Sequence, residues 1–301
     1  MEFEYRKKLR DLLQPELAKL SSTHETSWIL DHIEQLKFGS FESCVEKVKE
    51  IVARKKSGEP LAYIFGSWNF RGHEVFVNRD TLIPRPETEE LVEAAIMSIE
   101  NSFLSSEKLL KSGFKLADLG SGTGCIGLST IADFLEDVQT EDLSANEVSK
   151  NFELFLVEKS TKACVIIEKN IEAFRPKLFN TKVTLLNEDW NSFKGNDLDV
   201  IISNPPYVTK EEFEKLDSSV RDFEPESALL CETSLSTYKE IIEVARASLH
   251  EGGWLFMELG ISQGESVQEY LSGDPSFNDI RTLKDISKKP RFFCARKSGE
   301  L

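Results

Sequence analysis

In the middle of the chain, Asn204-Pro205-Pro206-Tyr207 joins a carboxamide, two prolines and an aromatic ring. Each proline fixes φ and lacks an N–H, so the segment presents carbonyls and one amide side chain in a set geometry. Tyr207 adds a flat face beside them. Residues of these types in this order suit the clamping of a planar, hydrogen-bonding group.

A second segment, Gly120-Ser121-Gly122-Thr123-Gly124, lets backbone N–H groups approach a ligand at a helix N-terminus. Within it, Gly122 to Gly127 also satisfies the dinucleotide pattern G-x-G-x-x-G, so a nicotinamide-dependent oxidoreductase is a competing reading. Asp118, just ahead of the loop, weighs against it, because a carboxylate would repel a pyrophosphate and attract a cationic, amino-acid-like ligand. Glu158 suits a ribose diol under either reading. Asp189-Trp190 offers an acceptor and an aromatic face for an adenine. Singly, each acid fits a solvated strand end; three at successive strand ends above one loop point to a site.

These residues need strands to hold them. Leu116–Leu119 ends in the glycine loop, Leu154–Val157 ends at Glu158, Val183–Leu186 leads to Asp189, and Leu198–Ser203 opens into Asn204. Further strands are expected at Trp254–Glu258, around Phe277–Arg281 and at Phe292–Ala295. Strands alternating with helices predict an α/β fold with a doubly wound parallel sheet, whose ligands bind at the C-terminal strand edge. Between the first helix and second strand, Asp133–Asn151 is rich in Asp, Glu, Ser and Asn and reads as a mobile surface insertion.

Residues 1–60 read as a helical domain, from Leu9, Leu12, Leu13, Leu17 and Leu20, then Trp28, Leu30, Ile33 and Leu36, then Phe41, Val45, Val48 and Val52 with a stop at Gly58. Such a domain is either a stabilising cap or a docking module for a macromolecule. Residues 61–80, turning at Arg71-Gly72, read as a β-hairpin linker. The α/β domain then occupies 81–301. It starts with Pro84-Arg85-Pro86, which holds Arg85 rigidly as a candidate binding cation, and with an acid-rich helix start.

The 301 residues, 40% hydrophobic, support one large and one smaller domain. A net charge of −15 argues against gripping duplex nucleic acid through its phosphates. Five dispersed cysteines, without Cys-x-x-Cys or histidines at ligand spacing, predict a reducing compartment and no structural metal. No run spans a bilayer, and the acidic start does not resemble a mitochondrial transit peptide.

Pro60–Ile64, Leu82–Glu89, Asp118–Gly124, Ser203–Tyr207, Phe223–Leu229 and Gly252–Gly260, in that order, resemble the HemK/PrmC family over nearly the whole chain. The proline-arginine-proline segment makes the resemblance specific. It implies a class I methyltransferase-like domain that uses S-adenosylmethionine, yielding S-adenosylhomocysteine, to methylate the glutamine of the Gly-Gly-Gln motif in class I peptide-chain release factors. It places the methionyl part at Gly120, Gly122 and Gly124 with Asp118, Ser121 and Thr123 around it, the ribose at Glu158 and the adenine at Asp189 and Trp190. Asn204, Pro205 and Tyr207 become the catalytic candidates, with Pro206 and Arg85 on the substrate side and Asn204 also bordering the cofactor. The family usually has an aspartate where Glu158 stands, which keeps the charge and lengthens its reach. Nucleic-acid amino-methyltransferases share such loops and are the second alternative. The acidic insertion resembles fungal members, giving an expected mitochondrial location, or the cytoplasm for a bacterial chain; a monomer is expected.

Overall fold

The computed structural model describes residues 7–8, 10–11, 23–36, 40–103, 113–140 and 148–299. The expected first helix, with Leu9 to Leu20, lies outside them apart from Arg10 and Asp11. The chain divides into two compact units, Met1–Gly66 with Asp217–Phe223, and Ser67–Leu216 with Glu224–Leu301.

In the first unit, α1 (Thr23–Gln35) and α2 (Phe41–Lys56) turn their apolar faces inward. Ile29, Leu30 and Ile33 are buried on α1, while Trp28 and Leu36, expected on that face, are exposed. Ser40 caps α2 by accepting the Ser43 N–H at 3.2 Å, which satisfies one orphan donor of the first turn. Leu61–Phe65 was expected to open the hairpin and is instead a single helical turn, α3. The run has no alternation, and Pro60 before it and Gly66 after it (φ 80°) start and stop a helix. Arg54 ties α2 to this turn with a fork onto Glu59, at 2.8 and 2.9 Å, and a bond to the Tyr63 carbonyl. The short α8 (Ser218–Arg221) completes the unit; the equally short α7 (Lys210–Phe213) before it belongs to the second.

The second unit begins with the hairpin β1 (Ser67–Phe70) and β2 (His73–Phe76), turning at Arg71 (φ 51°) and Gly72 (φ 76°) as the sequence predicts. The main sheet comprises β3 (Phe114–Leu119), β4 (Phe152–Val157), β5 (Lys182–Leu186), β6 (Leu198–Ser203), β7 (Leu249–Glu258), β8 (Phe277–Lys284) and β9 (Pro290–Lys297), in the order β5-β4-β3-β6-β7-β9-β8. The first five are parallel, but β9 runs antiparallel to both β7 and β8, correcting the all-parallel expectation. The short Asp285–Lys289 turn between β8 and β9 leaves no room for the crossover that a parallel pair needs. On one face α4 (Pro86–Phe103), α5 (Cys125–Thr140) and α6 (Thr161–Leu178) pack together. Against the other face, Tyr238, Ile241, Ala245, Val267 and Leu271 of α9 (Ser236–Ser248) and α10 (Gly264–Leu271) meet Ala117, Ile201, Leu255 and Met257 of the strands.

The acidic insertion is shorter than expected. Asp133 belongs to α5, whose Phe134, Leu135 and Val138 are buried; Val148 and Ser149 are buried too, and 141–147 lies outside the described residues. Asp133 accepts from Arg71 Nε at 2.5 Å and from His73 Nε2 at 2.6 Å, and His73 Nδ1 in turn meets Lys177 Nζ at 2.7 Å. These bonds fasten the hairpin to α5 and α6.

Burial alone would raise the Asp133 carboxyl, but His73 and Arg71 outweigh it and hold the group below its usual range. Its stabilisation is therefore complete above the unfolded value of about 3.9 and disappears as pH falls through the lower folded value. Asp133→Asn should cost about 2 kcal/mol at pH 7, read as a lower urea midpoint, and the gap from the parent should narrow as pH falls below the unfolded value of about 3.9.

Candidate functional site

A cavity of about 590 Å³ opens at the C-terminal edge of the parallel strands. Its floor is the turn from β3 into α5. There Asp118, fully buried, accepts the Gly127 N–H at 2.9 Å, while its Oδ1 has no partner among the described residues. A Cβ on Gly127 would stand 3.0 Å from the Asp118 Cβ, so the glycine is what lets α5 approach the strand this closely. Burial drives the Asp118 carboxyl up to about 7; the Gly127 N–H pulls it down and neighbouring Glu158 adds to the rise.

Gly120, Ser121, Gly122 and Thr123 line the cavity, and Gly124 lies buried beneath them against Leu128, Ile167 and Leu156. Asp118 is not on the cavity wall, so its charge reaches a ligand only from behind the loop. Glu158, at the end of β4, uses its extra methylene to reach that loop: Oε2 accepts the Gly122 N–H at 2.9 Å and Oε1 the Ser160 N–H at 2.7 Å. Each oxygen keeps lone-pair capacity for a further donor.

Asp189 and Trp190 form the next wall. Asn191 N–H first, then Lys159, hold the Asp189 carboxyl below the usual range. Trp190 donates its indole N–H to Glu240 at 2.8 Å, and the same oxygen accepts from Asn191. This bond keeps the ring over the glycine loop, 3.1 Å from where a Cβ on Gly120 would be.

Opposite stands the loop after β6. Asn204 and Pro206 face the cavity, whereas Pro205 is buried and Tyr207 lies behind the wall. The loop is pinned at several points: Ser203 donates to the Leu119 carbonyl (2.6 Å), Thr237 to the Pro206 carbonyl (2.7 Å), and Gln263 to the Tyr207 carbonyl (2.9 Å). The Pro205 carbonyl accepts no bond among the described residues. Asn204 Nδ2 lies 3.4 Å from Thr88 Oγ1, Thr88 donates to Glu258 Oε2 at 2.5 Å, and the Tyr207 hydroxyl donates to Glu258 Oε1 at 3.3 Å. Burial pushes the Tyr207 phenol well above its usual value, so it remains a neutral donor. Arg85 also lines the cavity and is paired with buried Glu224 at 2.6 Å.

Thr88, Glu240 and Glu258 are site residues that sequence reasoning missed. Glu258 repeats a visible signal, an acid at a strand end, and Thr88 follows the proline-arginine-proline segment. Glu240 lies within α9 with no local signal.

The lining carries Asp80, Glu158, Glu188, Asp189, Glu232 and Glu240 against only Arg85 and Lys159. Such a wall suits a cationic ligand and opposes a pyrophosphate. With the orphaned Asp118 oxygen beneath the loop, it fits the ammonium and sulfonium charges of S-adenosylmethionine. This sheet order and site define a class I S-adenosylmethionine-dependent methyltransferase. The chain is 34% identical over 263 residues to the release factor glutamine methyltransferase of Thermodesulfovibrio yellowstonii, covering 84% of this chain and 82% of that one. It is 28% identical over 306 residues to that of Escherichia coli, covering 97% and 99%. The chain belongs to the release factor glutamine methyltransferase family. A solved O-methyltransferase of Thermotoga maritima is also similar, with a TM-score of 0.46, 13% identity and 78% of each chain covered. No family model matches the chain.

Gly120 (φ 73°) and Gly122 (φ 58°) both adopt left-handed backbone, but a Cβ at Gly122 meets open space. Alanine at either costs about 1–2 kcal/mol of strain. Only Gly120→Ala also displaces Trp190, so its affinity for S-adenosylmethionine, measured by calorimetry, should fall at least about tenfold further than that of Gly122→Ala.

Proposed function

We propose that this protein transfers a methyl group from S-adenosylmethionine to the side-chain amide nitrogen of the Gly-Gly-Gln glutamine in a class I peptide-chain release factor. The observation that carries this is the Asn204 amide, fixed on the cavity wall beside the unpaired Pro205 carbonyl and across from the glycine loop. Gly120 to Gly124 take the methionyl part, with Asp118 acting through its field; Glu158 takes the ribose, and Asp189 and Trp190 border the adenine. When bound, S-adenosylmethionine supplies an electrophilic sulfonium methyl group.

The carboxamide nitrogen is a poor nucleophile because its lone pair is delocalised into the carbonyl, so positioning must supply much of the acceleration. Asn204 Oδ1 and the Pro205 carbonyl accept the two amide hydrogens, which orients the nitrogen and stabilises positive charge as it develops there. Tyr207, held by Glu258, supports the loop from behind, and Pro206 forms the adjoining wall. Arg85 faces the substrate side with the part of its guanidinium that Glu224 does not occupy. The first, helical unit docks the release factor, and the acidic surface steers a basic partner.

We read the enzyme as a monomer that does not hold duplex nucleic acid. The acidic residues between α5 and β4 are the ground for a mitochondrial location, although the stretch is shorter than the sequence suggests, whereas the relatives named above are bacterial and support a cytoplasmic one; fractionation of the source cells separates the two. No described helix is long and apolar enough to cross a membrane.

Incubation with labelled S-adenosylmethionine and purified class I release factors, followed by mass spectrometry, should place the methyl group on the Gly-Gly-Gln glutamine. Label on another residue, or on a nucleic-acid amino group instead, overturns the substrate assignment. Asn204→Ala should bind S-adenosylmethionine within about threefold of the parent yet lose on the order of a hundredfold in turnover. Normal turnover by that variant would remove the role given to Asn204.

A further inference from the structure

A carboxamide has a donor end and an acceptor end, and only one orientation of Asn204 offers an acceptor to the cavity. What selects that orientation lies behind the loop. Glu258, at the end of β7, has a side chain closed off from solvent and stands against Thr88 and Tyr207. As a carboxylate it can only accept. Thr88 owns a single hydroxyl hydrogen, and with that hydrogen committed to Glu258 its oxygen can only accept from Asn204. The Asn204 NH₂ must therefore turn toward Thr88, and Oδ1 is left facing away from it. One carboxylate also holds the Tyr207 hydroxyl, so both ends of the Asn-Pro-Pro-Tyr loop depend on it.

We propose that Glu258 and Thr88 are positioning residues for methyl transfer: the ionised Glu258, acting through the Thr88 hydroxyl, fixes the Asn204 amide with its oxygen toward the substrate. The proposal rests on the reading of Asn204 as the acceptor for the glutamine amide.

A pH dependence follows. A neutral Glu258 acid could donate to Thr88, whose hydrogen would then be free to turn to Asn204 and favour the reversed amide. Glu258 is surrounded by Glu87 and Thr88 of α4, Cys125 of α5, Tyr207, Tyr238 of α9 and Arg291 of β9. Burial raises its carboxyl most; Thr88, Arg291 and Tyr207 hold it down, Glu87 adds to the rise, and the net shift is upward. Turnover should fall as pH drops through this group, at a higher pH than an exposed glutamate would give.

The test compares Thr88→Val, which keeps the shape without the hydroxyl, Thr88→Ser, which restores it, and Glu258→Gln, which can donate. Methylation of a purified class I release factor is followed across pH, together with S-adenosylmethionine affinity by calorimetry. Thr88→Val and Glu258→Gln should lower kcat about tenfold or more while KM and cofactor affinity stay within about threefold. Thr88→Ser should recover most of the rate lost in Thr88→Val, and Glu258→Gln should change the acidic limb of the kcat profile, measured at saturating S-adenosylmethionine so that titration of Asp118 in the cofactor site does not contribute. Parental kcat in Thr88→Val, no recovery in Thr88→Ser, or an unchanged acidic limb in Glu258→Gln overturns the proposal. If Glu258→Gln fails to fold, the threonine pair decides alone. A slow Asn204→Ala with a fast Thr88→Val defeats only this inference, whereas a fast Asn204→Ala defeats the reading beneath it.

Discussion

Everything in the second unit is arranged around the close approach of α5 to β3. Gly127 removes the side chain that would keep helix and strand apart, and Asp118 fills the space so gained by accepting the Gly127 N–H. The chain must then reverse within Gly120–Gly124, where left-handed backbone recurs and N–H groups are left near the cavity floor. A carboxylate at this junction costs desolvation, which raises its affinity for a proton, and the Gly127 N–H offsets only part of that cost.

Around this junction the strand ends carry one acid after another, and their partners give them different tasks. Glu158 closes on the glycine loop, Asp189 is engaged by Lys159 and Asn191, and Glu258 supports the opposite loop from behind. Like charges this close raise the local negative potential, which favours a cofactor carrying two positive centres over one carrying phosphates. The same collection explains why a formal dinucleotide pattern in the glycine loop misleads when it is taken alone.

Two fastenings keep the periphery in place. Arg71, His73 and Lys177 converge on Asp133 and its neighbourhood to secure the hairpin, and Arg54 forks onto Glu59 within the helical unit. In both, charged groups are partly shielded and doubly bonded, a geometry that retains value where isolated surface pairs do not.

The sequence by itself determined the parallel strands, the glycine loop, the prolines of the Asn204 loop and the acids at the ends of β3 and β4, because each is written in a local pattern of apolar runs, Gly and Pro. It misplaced what depends on distant partners. Leu61–Phe65 became helix because burial of its apolar side chains satisfied a run with no alternation, Asp133 left the insertion because Arg71 and His73 were there to bind it, and β9 turned antiparallel because its connection is short. Trp28 and Leu36 share a helical stripe with buried neighbours, yet which side of a stripe is covered is set by what packs on it. The chain Asn204, Thr88, Glu258 and Tyr207 draws on residues far apart in sequence, and no local pattern records which hydroxyl faces which carboxylate. Only the tertiary structure decided that, because hydrogen-bond direction belongs to the network and not to any one residue.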